Sequence, residues 1–235
     1  MTDALIIGGT SGMGLALAGA MLAAGMEVTI AGRSADRLAA ARADLDQAGK
    51  VTTAVADIGR EEDVARLFAG PGRVSHVVVT AADATGAYGR TAAVATATAR
   101  GIVDAKLLGA WLVGKYAAGR VTGSITYTSG INAYRPNGQN TIIAAANGAL
   151  ASLAAGLAIE LAPVRVNVLS PGWVDTPIWD QTGMDKQAAF AELAARLPAG
   201  RIGTPGDIAQ AFLALIRNEF ITGTVLHADG GHRLT

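Results

Sequence analysis

The stretch "LIIGGTSGMGLALAGAMLAAG", residues 5–25, decides the fold because it joins an apolar strand-like run to a helical pattern through closely spaced glycines. Gly8 permits a tight turn, Gly12 lets backbone amides approach a pyrophosphate, and Gly14 allows the helix to pack close to the strand. Thr10 and Ser11 add hydroxyl donors at the helix N-terminus, where phosphates bind. A plain turn between strand and helix is the alternative, but the flanking elements favour a dinucleotide site.

The rest of the chain continues the alternation of strand and helix. β-branched runs near residues 4–9, 27–33, 50–57, 75–82, 123–130, 164–172 and 223–231 predict seven strands. Ala- and Leu-rich patterns predict helices at about 12–24, 35–48, 61–69, 91–117, 140–162, 186–196 and 205–217. The predicted fold class is therefore α/β: a single doubly wound Rossmann-like domain over residues 1–235, with a seven-stranded parallel sheet.

The composition argues against several classes of function. Hydrophobic residues make up 51% of the chain and charged residues 16%, so we expect some apolar surface to be buried between subunits. The 19 basic and 19 acidic residues leave no net charge, which argues against nucleic-acid and anionic-membrane partners. The chain has no Cys, which removes disulfides and thiolate chemistry and fits a reducing cytoplasm.

We expect neither a signal peptide nor a membrane helix. The N-terminal "MTDALIIGG" carries no basic leader before its apolar run. Residues 141–162 are apolar, but they include Asn147 and Glu160 and are mostly Ala and Gly, which favours a buried helix. These observations predict a cytoplasmic protein.

The second and third strands carry candidate contacts to the adenosine half of a dinucleotide. The second strand ends "TIAGRS", without the Asp or Glu that would select NAD. Arg33 can instead pair with a ribose 2′-phosphate and Ser34 can add a hydroxyl, which favours NADP(H); an ordinary surface arginine is the alternative. Asp57, in "VADI", can accept a hydrogen bond from an adenine amino group or can cap the helix that begins near Glu61.

Six segments, in this order and spacing, resemble the short-chain dehydrogenase/reductase family: "IGGTSGMG", "AGR", "ADI", "LSPGWVDTP", "GRIGTPGDIA" and "ITGTVLHADGG". The resemblance covers essentially the whole chain. It implies a nicotinamide cofactor, a carbonyl/alcohol substrate pair, and homodimers or homotetramers formed through helices four and five. It also implies that Pro171, Gly172 and Thr176 line the nicotinamide and diphosphate end, with Val174 near the carboxamide. The further cofactor-lining positions on this pattern are Met13, Ile58, Ala81 and Ala82.

The family's usual catalytic set is absent from the matching positions. That set is an Asn on the fourth helix, a Ser after the fifth strand, and a Tyr and Lys four residues apart on the fifth helix. Sliding the pattern onto "SGINAYRPNGQNTIIAAANGALASL" puts Ile143 at the Tyr position and Asn147 at the Lys position. The Ser position falls on Gly130, or on Ser129 after a shift of one residue. On the fourth helix, "DAKLLGAWLVGKYA" puts Lys106 in the place of the Asn.

Proton handling must therefore differ from the family's usual scheme, because an Ile cannot transfer a proton. Asn147 can still donate to ribose hydroxyls. Lys106 is the first candidate for an acid or an oxyanion stabiliser, and partial burial would lower its pKa; pairing with Asp104 or an interface acid is the alternative. Ser129 can orient a carbonyl, or its hydroxyl can close the turn at the strand end. Tyr134 is predicted to lie on a surface turn.

Three remaining features complete the prediction. Asp83, in "TAAD", departs from the family's pattern and receives no role. The scattered His76, His227 and His232 suggest no metal site. Residues 173–197 form the expected substrate lid, whose Trp173, Trp179, Met184 and Phe190 either meet an apolar or cyclic substrate or pack the lid onto the body. The sequence thus predicts an NADP(H)-dependent oxidoreductase, with a catalytically silent NADP(H) sensor or partner subunit as the alternative.

Overall fold

The computed structural model describes residues 2–70, 72–81, 86–181 and 184–235, which build a seven-stranded parallel sheet with the order β3-β2-β1-β4-β5-β6-β7. The strands are β1 (Thr2–Ile7), β2 (Val28–Gly32), β3 (Val51–Val55), β4 (Val74–Val79), β5 (Val121–Thr128), β6 (Arg165–Pro171) and β7 (Val225–Ala228). The predicted α/β Rossmann-like class is confirmed. The seven predicted strands differ from the observed ones by at most three residues at either end.

Seven helices connect these strands in the described part of the chain. They are α1 (Gly12–Ala23), α2 (Ala35–Leu45), α3 (Glu61–Phe68), α4 (Thr96–Val103, Asp104–Leu108 and Gly109–Ala117), α5 (Thr141–Glu160), α6 (Lys186–Ala194) and α7 (Pro205–Arg217). Short 3₁₀ turns span Thr91–Ala93, Ile131–Ala133, Pro177–Gln181 and His232–Leu234.

The predicted helix over residues 91–117 is wrong in its start and in its interior. Residues 91–93 form a separate 3₁₀ turn, and extended backbone at Val94 and Ala95 keeps this turn apart from α4. The middle of α4, Asp104–Leu108, is a π-helix between two α-helical parts. Such wide turns recur at functional sites because they re-aim a side chain. Here the π-helical segment contains Lys106.

Two apolar clusters cover the two faces of the sheet. Leu17, Met21 and Phe212 belong to the cluster under α1, α2 and α7. Phe68, Val113 and Leu150 belong to the cluster under α3, α4 and α5. This double coverage explains why the strands read as continuous apolar runs rather than alternating ones.

Helix α5 is the one described helix that is long and apolar enough, by composition, to cross a bilayer. Core helices of soluble proteins meet the same criterion. In the structure, Leu150, Ala154 and Leu157 of α5 are buried in the cluster beneath α4. The predicted buried helix is thus buried along one face, with a third of its apolar window inside the protein.

The order of the strands reverses between β1 and β4, the point at which doubly wound sheets bind their ligands. The glycine-rich turn follows β1 there, and Ala81 follows β4. Strands β5 and β6 end at the same carboxyl edge, so the segments that follow them begin there. The predicted site residues are thereby collected at one edge of the sheet.

Candidate active site

The glycines after β1 let two backbone segments approach each other closely. Gly8 adopts φ of +100°, and a Cβ there would lie 2.5 Å from the Ala81 amide nitrogen. A Cβ on Gly14 would lie 2.3 Å from the Gly8 carbonyl oxygen. Side chains at these positions would therefore separate helix α1 from the strands. The tight turn and the close helix contact are the roles that the sequence assigns to these residues.

The start of α1 is open toward an anion. Ser11 is the N-cap residue, but its side chain makes no cap hydrogen bond, which leaves the amides of the first turn without this partner. Gly12 has φ of +53°, and a Cβ there would lie 3.2 Å from Thr176 Cγ2. The turn containing Gly12 and Met13 thus faces the segment after β6. These residues fit the diphosphate of a dinucleotide, because amides at a helix N-terminus attract phosphate.

Two arginines lie near the end of β2, on the side that the sequence assigns to the adenosine half of the cofactor. Arg33 directly follows β2, and Arg37 lies one turn into α2, where its Nη2 donates to Ser11 Oγ at 3.1 Å. A Cβ on Gly32 would lie 3.1 Å from Thr10 Cγ2, so the end of β2 keeps space beside Thr10. Sequence reasoning missed Arg37, whose place beside Ser11 is seen only in the structure.

Ser34 and Asp57 each have a local structural partner. Ser34 is the N-cap of α2, and its Oγ accepts a hydrogen bond from the Arg37 amide at 3.3 Å. Asp57 Oδ1 accepts from the Gly59 amide at 2.9 Å, forming a turn ahead of α3. The cap position of α3 itself is Arg60. Contacts of Ser34 and Asp57 with a cofactor stay predictions.

The other cofactor-lining predictions fall into three groups. The Ile58 side chain is buried in the cluster beneath α4. Ala81 follows β4 beside the glycine turn, whereas Ala82 lies outside the described residues. Asp83, to which the sequence gives no role, lies outside them as well.

The segment after β6 lies against both the glycine turn and the C-terminal segment. Pro171 ends β6, and a Cβ on Gly172 would lie 2.8 Å from Asp229 Cα, so this turn runs close beneath the C-terminal backbone. Val174 pairs with Gly203 and is buried. Thr176 is also buried and faces Gly12. The fold therefore brings together the glycine turn, which the sequence assigns to the diphosphate, and the segment that the resemblance assigns to the nicotinamide and diphosphate end.

Lys106, at the position where the family pattern has an Asn, lies inside the protein. Only 7% of its surface is exposed, and its Nζ donates to Thr128 O at 3.0 Å and to Asn147 Oδ1 at 2.7 Å. Burial lowers the pKa of Lys106 from 10.5 to about 8. The alternative in which this lysine pairs with Asp104 is not what the structure shows.

Both the oxygen and the nitrogen of the Asn147 side-chain amide form hydrogen bonds with protein groups. Its Oδ1 accepts from Lys106, and its Nδ2 donates to Asn132 Oδ1 at 2.7 Å. The Asn147 backbone carbonyl accepts from Ser129 Oγ at 3.0 Å. The hydroxyl hydrogen of Ser129 thus serves to close the end of β5 onto α5, the local role that the sequence leaves open. A contact between Asn147 and a cofactor ribose stays a prediction.

Ile143 stands where the family pattern has a Tyr and supplies apolar surface there. Gly130 stands where the pattern has a Ser and leaves space. Ile143 is buried in a small cluster with Ala87, Ile102 and Ala146. A Cβ on Gly130 would lie 3.1 Å from Asn147 Nδ2, closer than most side chains tolerate. The absence of a side chain at Gly130 therefore leaves room for the Asn147 amide.

The lid aromatics pack mainly on one another. The rings of Trp173 and Trp179 lie 4.4 Å apart between centroids, and Phe190 lies 5.7 Å from Trp179. Trp179 Nε1 also donates to Val174 O at 2.7 Å. These contacts lie within the lid itself, where they join α6 to the segment after β6, and Met184 is 39% exposed.

Tyr134 is partly exposed, as predicted for a turn, but its ring also packs edge-on against His227 at 4.5 Å. Burial is the main cause that lowers the pKa of His227 and of His232. Within the described ranges, no group of three or more His, Asp or Glu side chains could hold a metal ion.

Comparisons with known proteins place these features in a family. A family model described as enoyl-(acyl carrier protein) reductase matches residues 8–233. The chain is 32% identical to the short-chain dehydrogenase/reductase malC of Malbranchea aurantiaca over 97% of this chain and 93% of that protein. The solved structure of MalC, named a reductase/Diels-Alderase, matches with a TM-score of 0.92 at 31% identity and covers 100% of this chain and 97% of that one.

A second solved structure adds a ligand to the comparison. It is a small-chain dehydrogenase in complex with NADPH, 32% identical, with a TM-score of 0.82 and coverage of 100% of this chain and 99% of that one. The match extends over the glycine turn, the segment after β6 and the C-terminal turn alike. The chain therefore belongs to the short-chain dehydrogenase/reductase family and is an oxidoreductase of that class.

Proposed function

We propose that this protein is an NADP(H)-dependent oxidoreductase that interconverts a carbonyl or imine and its reduced form on a small, apolar or cyclic substrate. The open helix start behind Ser11 suits the diphosphate, and the neighbouring Arg33 and Arg37 suit a 2′-phosphate. The NADPH bound to a structural neighbour supports the same choice of cofactor.

The buried ammonium of Lys106 is the observation that carries the catalytic part of this proposal. When bound, the nicotinamide supplies a hydride to the carbonyl carbon, and the carbonyl electron pair moves to the oxygen, which then takes a proton. A positive charge in a water-poor site stabilises that oxygen far more than it would in water. Lys106 provides such a charge with no acidic partner bonded to it, because its two acceptors are neutral oxygens.

Ser129 is the second catalytic candidate and is less suited to donate. Its hydroxyl hydrogen is directed to the Asn147 carbonyl. Its oxygen keeps lone pairs that can accept a hydrogen bond from a substrate or an ordered water. We therefore assign the charge to Lys106, the orientation of an ordered water or of the hydroxyl of the reduced substrate to Ser129, and the delivered proton to water.

The second candidate function is a catalytically silent NADP(H) sensor or partner subunit. Buried Ile143 favours it, because this apolar side chain holds the position from which the family's phenol exchanges a proton. The cofactor contacts proposed above would serve a sensor equally well.

One experiment separates the two functions. The purified protein is mixed with NADPH and a panel of ketones, quinones and cyclic imines, and NADPH absorbance is followed. Loss of absorbance with any member supports the oxidoreductase, whereas tight NADPH binding with no loss across the panel supports the sensor. Lys106→Met should then abolish turnover and leave cofactor affinity nearly intact. Lys115→Met, which changes an exposed lysine paired with Glu61, is the matched control.

We further propose a homodimer or homotetramer formed through α4 and α5. Trp111 and Leu108 on α4 are about half exposed, and Ile159 on α5 is 82% exposed. A surface that leaves large apolar side chains uncovered suits contact with a second copy of the chain.

A further inference from the structure

Three polar side chains form a hydrogen-bonded series that ends at the carboxyl edge of the sheet. Lys106 Nζ donates to Asn147 Oδ1 at 2.7 Å, and Asn147 Nδ2 donates to Asn132 Oδ1 at 2.7 Å. Lys106 and Asn147 are buried, and Asn132 is half-buried in the 3₁₀ turn after β5. The series thus runs from the interior to the surface of the candidate site.

The direction of these hydrogen bonds is fixed by chemistry. An ammonium has only donors, so the oxygen of the Asn147 amide must face Lys106 and its nitrogen must face away. That nitrogen is a donor, so Asn132 must present its oxygen to it. The Asn132 amino group is then turned away from the series. Within the described part of the chain, the bond accepted from Asn147 is the one side-chain hydrogen bond found for Asn132.

The local backbone is shaped to keep the series in place. Gly130 leaves the space beside Asn147 Nδ2 and Asn132 Oδ1, since a Cβ there would lie 3.1 Å and 3.4 Å from them. Lys106 Nζ also donates to the carbonyl oxygen of Thr128, the last residue of β5. The turn that carries Asn132 starts at Ile131, directly after Gly130.

We propose that the amino group of Asn132 binds the reacting oxygen of the substrate, and that Lys106 and Asn147 act as positioning residues that orient and polarise it. This inference rests on the proposed oxidoreductase function and narrows its substrate class. A donor backed by a buried positive charge suits a carbonyl oxygen, on which negative charge develops. It disfavours a cationic iminium, which has no lone pair to accept the hydrogen bond.

The Asn132 amino group at the end of the series should donate a stronger hydrogen bond than a single surface amide does. A hydrogen bond whose donor is polarised by a neighbouring bond is strengthened, and a charge at the far end adds to this effect. Loss of one donor to a developing oxyanion lowers kcat by about 100- to 1,000-fold in enzymes that depend on it. An effect of that order is expected for Asn132.

The first test measures the series itself and requires no substrate. Side-chain amide resonances of Asn132 and Asn147 are followed by ¹⁵N NMR in the NADP⁺-saturated protein from pH 6 to about 10. We expect both to shift with a common midpoint near the lowered pKa of Lys106, about 8. The shift should vanish in Lys106→Met and persist in Lys115→Met. An Asn132 resonance that ignores both the pH and Lys106→Met would overturn the inference.

The second test measures turnover with the ketone that the panel identifies as the fastest substrate. Asn132→Asp keeps the shape but removes the donor, so kcat should fall about 100-fold while KM for NADPH stays unchanged. Asn132→Ser retains a hydroxyl donor and should recover part of the loss. Asn137→Asp, on the same loop and exposed, is the control.

The outcomes separate the two levels of the proposal. Turnover by the wild type together with equal turnover by Asn132→Asp would overturn the role of Asn132 alone. Fast reduction of cyclic imines in their protonated, iminium form and none of ketones would overturn the narrowed substrate class. No turnover by the wild type with any member of the panel would overturn the proposed function.

Discussion

Lys106 Nζ and Asn147 Oδ1 lie 2.7 Å apart, and this contact joins the π-helical part of α4 to the middle of α5. The family pattern has an Asn at the first of these positions and a Lys at the second. Relative to that pattern, the amine and the amide have exchanged helices, and in this protein they are in contact. The amine now reaches the site from α4, and no phenol stands one turn before the amide on α5.

Exchanging the two residues back tests whether they act as a unit. Asn147→Lys alone places a second ammonium beside Lys106 and should lower the free energy of unfolding by about 3–5 kcal/mol, as for an uncompensated buried charge. Lys106→Asn alone should also destabilise the protein, because two buried acceptors lose their donor. The double variant restores one amine and one amide and should recover more than half of the summed loss. Urea unfolding of all four proteins gives the coupling free energy, and additive losses would contradict the pairing.

The titration of Lys106 should change stability in alkaline solution. Burial lowers the pKa of Lys106 to about 8, against 10.5 for an ordinary lysine. Below pH 8 both folded and unfolded states hold this proton, and the folded state bears the full cost of the buried charge. Between these two pKa values the unfolded state binds more protons, so the free energy of unfolding rises with pH.

The size of this rise follows from the gap between the two pKa values. The free energy of unfolding of the wild type, minus that of Lys106→Met, should increase by about 3 kcal/mol from pH 8 to 10.5. Urea unfolding at several pH values measures it. Taking the difference removes contributions from other groups that titrate in the same range. A difference that stays flat or falls would mean that Lys106 keeps an ordinary pKa.

The arginine pair should control the choice between the two nicotinamide cofactors. Arg33→Ala and Arg37→Ala should each weaken NADPH binding about tenfold or more, because a charged hydrogen bond to a phosphate contributes about 1.5–3 kcal/mol. Binding of NADH, which lacks the 2′-phosphate, should change little. Arg42→Ala is a matched control on α2, since Arg42 pairs with Asp46 on the exposed side. Calorimetry that shows equal losses for both cofactors would make these arginines structural residues.

The sequence predicts the sheet well because both faces of it are covered. Every strand contains β-branched residues and lies next to a helical pattern, and the glycines at 8 and 14 have backbone contacts that admit no side chain. These signals are local. The start of α4 escapes prediction because Val94 and Ala95 have ordinary residue types and adopt extended backbone only in their tertiary setting.

The candidate site is harder to predict because its contacts join distant segments. The sequence identifies Lys106 and Asn147 as replacements, but it cannot show that they touch, 41 positions apart. Asn132 carries no signal of its own, since an Asn before "AYRPNG" is typical of a turn. Arg37 is missed because it is recognised only through its contact with Ser11.

The exposed apolar side chains on α4 and α5 predict how the protein assembles. Trp111 is 46% exposed, and Lys115 lies over its ring at 5.6 Å, so an apolar centre is bordered by charge. In a two-fold interface the same surface patch is buried on both copies, so Trp111→Glu would place an unpaired charge among apolar side chains twice. We expect this variant to shift the protein to monomer in sedimentation experiments. Val55→Glu, at an exposed position on the edge strand β3, should leave assembly unchanged. A wild-type protein that sediments as a monomer at micromolar concentration would contradict assembly through these helices.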